Sequence, residues 1–145
     1  MNLHPALSHS APLLLGLALI AELIALKFDT PRWRSYSAQS LVFAAILSPL
    51  SYLTGYLASE NTDRTFQVAN EFIIQHQSSA KLLLFALFAT ICLRVAEHFA
   101  EHKLGFRIFY SLLLLVSTLL AVNTGYKGGS LVYQHGAGVS ATPSK

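Results

Sequence analysis

Six histidines are the residues of this 145-residue chain best suited to chemistry, because imidazole ligates haem iron and transition metals and changes charge near neutral pH. His4 and His9 precede or open the first long apolar run, His76 opens the third, and His135 follows the fourth. Threaded back and forth through a bilayer, the four runs bring these four imidazoles to one side. His98 and His102 stand at the other end of the third run, and a helix separates His76 from His98 by roughly 33 Å, so the two belong to different surfaces. A b-type haem held by two histidines needs imidazoles at similar depth on facing helices. His9 and His76 meet that requirement best, and Gly16, Ala18, Gly55 and Gly125 would leave space for a flat macrocycle. His4 and His135 are then supporting groups, or ligands of an additional metal or haem. The plainer account is that outward histidines hydrogen-bond loops and helix ends at the membrane interface.

The elements that must carry these residues follow from composition. With 53% hydrophobic residues, 12% charged residues and a mean hydropathy of +0.49, the chain is too apolar for an ordinary soluble domain. Four helices are expected at about 5–27, 37–58, 71–101 and 106–125, each long enough to cross a hydrocarbon core of roughly 30 Å. The expected fold is all-α: one integral membrane four-helix bundle over residues 1–145, up-down-up-down, with a short glycine-rich C-terminal tail. Pro49 and Gly55 in the second run are tolerable where neighbouring helices satisfy freed backbone groups, and a bend is expected near Pro49. No Lys or Arg precedes the first run and no small-residue cleavage site follows it, so that run is expected to stay as an anchor. Lys27, Arg32, Arg34, Arg94, Lys103 and Arg107 fall on the side opposite the termini, against Arg64, Lys127, Lys145 and the bordering Lys81 on the terminal side. The positive-inside rule then directs both termini outward, into the periplasm of a bacterial inner membrane.

Other chemistries are poorly served. The net charge of +3 is small and scattered, which argues against a nucleic-acid stripe. Cys92 is the only cysteine and excludes an intrachain disulfide or a cysteine-built cluster. The Gly128-Gly129-Ser130 string lacks the Lys and following helix of a phosphate-binding loop. His98 and His102, at i, i+4 spacing beside Glu97 and Glu101, share a face that could grip zinc or copper, but two ligands do not complete a site and a solvated helix end is the simpler reading. Glu22 is the only acid well inside an apolar run; it either serves a function or pairs near the interface with Lys27 or Arg94.

The tail carries the most distinctive string, Gly125-Tyr126-Lys127-Gly128-Gly129-Ser130-Leu131-Val132-Tyr133-Gln134-His135-Gly136-Ala137-Gly138-Val139. Leu-Val-Tyr between glycines suggests a short extended piece that folds back on the bundle mouth and carries His135 toward His9 and His76. With the opening His4-Pro5-Ala6-Leu7-Ser8-His9-Ser10-Ala11-Pro12 and the histidine ahead of the third helix, this tail resembles an uncharacterised bacterial membrane-protein family, domain of unknown function 2231. The resemblance covers nearly the whole chain. It implies a four-helix inner-membrane protein, often a module near redox or cytochrome components, with an acidic residue in the first helix matched by Glu22.

The expected function is one-electron transfer by a b-type haem near the outward face, exchanging electrons with quinone or a membrane complex and with a periplasmic or membrane-bound redox protein. Two alternatives stand beside it: a cofactor-free accessory subunit or scaffold of a larger complex, and a copper- or zinc-binding membrane protein using His4, His9 and His135. All three describe a carrier or accessory subunit more readily than an enzyme. The bilayer is the common partner, and no nucleic acid is expected.

Overall fold

The structure, a computed structural model, describes residues 4–66, 68–99 and 104–137, with the backbone alone described for residues 6 and 60–66. A short helix α1 (His4–Ser8) leads into α2 (Ser10–Phe28), followed by α3 (Pro31–Phe66), α4 (Asn70–Phe99) and α5 (Leu104–Tyr133). Helices α2 to α5 are each long and apolar enough to cross a membrane. Helix α2, the shortest at 19 residues, rises ~28 Å. In hydrocarbon every backbone N–H and C=O must be satisfied within its own segment, so long apolar runs have little choice but to be helical.

The helices pack as α2 on α3, α3 on α4, α4 on α5 and α5 back on α2, which closes a four-helix bundle with α2 and α4 on one diagonal. Two residues reverse the chain between α2 and α3. Asp29 takes the left-handed conformation (φ 46) that ends α2, a state short polar side chains tolerate. Pro31 then opens α3, where a missing N–H costs nothing. Helix α3 runs through Pro49 without interruption and starts six residues earlier than the expected 37.

The core mixes leucines and Tyr110 with small and polar residues, and the outer surface is large and apolar. Ala11, Leu15, Ala18, Glu22 and Ala25 of α2 are buried at alternating four- and three-residue spacing, as are Tyr110, Leu114, Ser117 and Ala121 of α5, and Leu83, Leu87 and Thr90 of α4 with Glu97 a heptad beyond Thr90. This is the heptad pattern of interlocking helices. Leu13, Leu17, Phe43, Phe85, Phe88, Phe109 and Leu119 are exposed on the outer surface. Association of helices in lipid rests on close packing and hydrogen bonds between small residues; here the buried Thr90 and Ser117 hydroxyls join α4 to α5 at 2.8 Å.

The tail differs from expectation. The expected extended piece is helical: α5 continues through Gly125, Gly128 and Gly129 to Tyr133, eight residues beyond the expected end at 125. Glycine is common in membrane helices, where a continuous helix satisfies backbone groups that an extended strand would leave bare. The helix is closed by Gly136 (φ 70) and by backbone bonds from Gly136 N to Val132 O (3.1 Å) and Ala137 N to Leu131 O (2.9 Å).

Candidate functional site

The four histidines expected on the side of the termini lie at one end of the bundle, but the pair that meets there is not the expected one. The imidazole that meets His76 is His4, with ring centroids 6.4 Å apart and planes at 73°. Helix α1 packs on α3, and this contact directs His4 inward. Its Nδ1 lies 3.0 Å from the Ser51 carbonyl oxygen and 3.5 Å from the Thr54 hydroxyl. A carbonyl can only accept, so Nδ1 carries the proton and the lone pair of the neutral ring sits on Nε2. Gly55 allows this approach: a Cβ there would stand 2.6 Å from His4 Cε1.

His76 is built in the same way from the other side. Its ring hydrogen-bonds the Thr124 backbone of α5, while its buried Nδ1 has no hydrogen-bond partner. Gly128 lies beside it, and a Cβ there would approach His76 Cε1 to 3.1 Å. Lys127 stands close enough to His76 to act on it electrostatically and donates to the Ser79 hydroxyl at 2.6 Å. Of the four positions expected to leave space, Gly55 alone meets a histidine; Gly16 and Gly125 face open space and Ala18 is in the core.

The other two histidines at this end have separate surroundings. His9 is exposed at the joint between α1 and α2, its Nδ1 within 3.1 Å of Pro5 O and 3.3 Å of the Ser8 hydroxyl. His135 stacks on Phe72 of α4, one helical turn before His76, with centroids 3.9 Å apart and planes at 21°. The expected His9–His76 pair is therefore replaced by His4–His76, and His4, His9 and His135 are not gathered as one ligand set. Among the described residues no three His, Cys, Asp or Glu side chains group as a metal site. His98 is exposed with its ring edge on Phe99, and His102 lies outside the described residues.

A second polar centre closes the opposite end. Glu22, fully buried, accepts from Arg107 Nε at 3.3 Å, not from the expected Lys27 or Arg94. Arg107 also reaches Asp29 at 3.2 Å, and Lys27 instead lies over the Phe28 ring. Glu97, expected at a solvated helix end, is fully buried between Arg34 and Arg94, the latter at 2.5 Å. Arg94 sits over the Tyr110 ring, 5.1 Å from its centroid, and the Tyr110 and Ser37 hydroxyls meet at 3.1 Å. All four long helices contribute, so the buried charges cross-link the bundle where removal from water would otherwise be costly. The sequence signal for Glu97 was its spacing: it continues the Leu83, Leu87, Thr90, Arg94 face.

This arrangement of lipid-facing apolar residues, polar helix interfaces and internally neutralised charges defines an integral membrane four-helix protein. The chain belongs to the predicted membrane protein family DUF2231, whose model matches residues 1–141. No curated protein and no solved structure matches it.

Proposed function

We propose that the chain is a membrane electron carrier that holds one b-type haem between His4 and His76. The observation that carries this reading is the His4–His76 pair. Two imidazoles ligating one ion from opposite sides at 2.0–2.1 Å have ring centroids roughly 6 Å apart, close to the 6.4 Å found. The donor set fits the group. His76 keeps a buried ring nitrogen without a partner, and Gly55 and Gly128 provide the backbone cradles that a Cβ would fill. Two imidazoles are enough where a macrocycle supplies the remaining ligands, whereas structural zinc takes four protein ligands.

When bound, the haem would supply one-electron chemistry. The protein's part is to fix the ligands. Ser51 O and the Thr124 backbone orient the two rings, as hydrogen bonds behind metal-bound histidines do. Lys127, adjacent to His76, offers a cation to a propionate. His9 and His135 are outside the ligand pair and are available to a redox partner on the terminal side, the periplasm in a bacterial inner membrane. A copper(I) ion bridging the same two imidazoles is the second reading, favoured by the same pair.

Protein purified in mild detergent from a haem-replete host should show a Soret band and a sharp reduced α band, with pyridine haemochrome quantitation giving one haem per chain. A colourless protein carrying copper that a chelator removes would support the second reading. A folded, colourless and metal-free protein that co-purifies with a complex would refute both and leave the scaffold. The glycines offer a graded check. Gly55→Ala should lower haem affinity more than about tenfold, because it displaces an orienting contact of the kind worth 10–100-fold. Gly128→Ala needs only a few tenths of an ångström and should cost less, and Gly16→Ala should change nothing. Equal haem titrations for all three would count against the His4 cradle.

A further inference from the structure

A cleft of about 340 Å³ runs between α2 and α3, away from the histidines. Leu17 and Ile20 of α2 and Phe43 of α3 line one end, and Trp33, Tyr36 and Gln39 of α3 line the other. Since α3 starts at Pro31, on the side opposite the termini, Trp33 lies near the inward surface and Phe43 ~15 Å deeper. The cleft is therefore graded along the membrane normal, apolar in its depth and aromatic and polar at its mouth. Trp33 and Tyr36 meet edge to face with centroids 5.6 Å apart, in the manner of residues at headgroup level.

Two exposed cations flank that mouth. Arg32 is one turn below Tyr36 on the same face of α3, and Lys27 is two turns beyond Ile20 on the same face of α2. Among the described residues, the other charges nearby are matched: Asp29 by Arg107, and Arg34 by Glu97. Among the described residues, the unmatched charge at the mouth is therefore positive. We propose that this cleft seats an anionic phospholipid of the inward leaflet, with an acyl chain against Leu17, Ile20 and Phe43 and its phosphate between Lys27 and Arg32. A neutral amphiphile such as a quinone would use the apolar depth but leave the cations without a counter-charge.

Trp33 is the only tryptophan in the chain, so its fluorescence reports on the cleft. The full-length protein is reconstituted in phosphatidylcholine vesicles, and increasing fractions of phosphatidylglycerol or phosphatidylcholine with brominated acyl chains are introduced. Brominated phosphatidylglycerol should quench Trp33 at a roughly ten- to thirtyfold lower mole fraction, the preference two juxtamembrane cations confer. The doubly substituted Lys27→Gln, Arg32→Gln protein, changed only at exposed positions, should lose that preference. Ser40→Phe, at another residue that lines the cleft, should weaken quenching by both lipids. Equal quenching by the two lipids in the unmodified protein overturns the proposal, as does a preference that survives the double substitution. Quenching relieved by added quinone and indifferent to lipid charge would assign the cleft to a neutral amphiphile instead.

Discussion

The His4→Ala and His76→Ala proteins should each lose the haem absorption bands, while His9→Ala should retain them. His4 and His9 are five residues apart on nearly continuous helix, so their side chains point about 140° apart around the axis. Only one of them can face the bundle. Helix α1 packs on α3 and turns His4 toward His76, which leaves His9 exposed on its own turn. In the proposed site, removal of either ligand would leave a single imidazole to hold the iron, and the haem should be lost. Visible spectra of the three variants, purified in parallel with equal helical content, make the comparison. Haem loss in His9→Ala with retention in His4→Ala would reverse the assignment.

The largest effect on stability is expected at the other end. Glu97→Ala removes the carboxylate that two arginines share inside the bundle. Breaking a buried pair by deleting one partner costs about 3–5 kcal/mol, because the surviving charge stays out of water. Here the surviving charges number two, Arg34 and Arg94, and Arg94 also packs on Tyr110. Glu22→Ala should act in the same direction through Arg107. Asp29→Asn is the control: it removes an exposed charge (the side chain is 90% exposed) while keeping a short polar side chain that tolerates the left-handed conformation at φ 46, and surface pairs contribute little. Thermal unfolding in a fixed detergent should show a large drop for Glu97→Ala and almost none for Asp29→Asn. Equal midpoints would mean that the charge centre does not bind the helices together.

The parts of this architecture that sequence alone makes legible are those the bilayer dictates. Long apolar runs must be helical to satisfy their backbones, and short polar gaps between them make neighbouring helices antiparallel. The gathering of His4, His9, His76 and His135 at one end follows from that topology. Which two of them meet does not. It depends on the break between α1 and α2 at His9, where the N-cap residue itself has near-helical angles, φ −83 and ψ −11, and gives no strong local signal. The glycines of the tail mislead for a related reason: in water they favour turns, whereas here Gly128 stays helical and lies against an imidazole. Glu97 is misjudged when counted among charged neighbours at a helix end, although its position on the core-facing heptad of α4 marks it as buried. Periodicity was the better guide than local polarity.

Under the proposed function, His4 and His76 would together hold one haem iron. The electron paramagnetic resonance spectrum of the ferric protein tests it most directly. A low-spin signal typical of two imidazoles, accounting for one iron per chain and lost or converted to high spin in both His4→Ala and His76→Ala, is the predicted result. A haem-free protein, or a low-spin signal unchanged by His4→Ala, would contradict it.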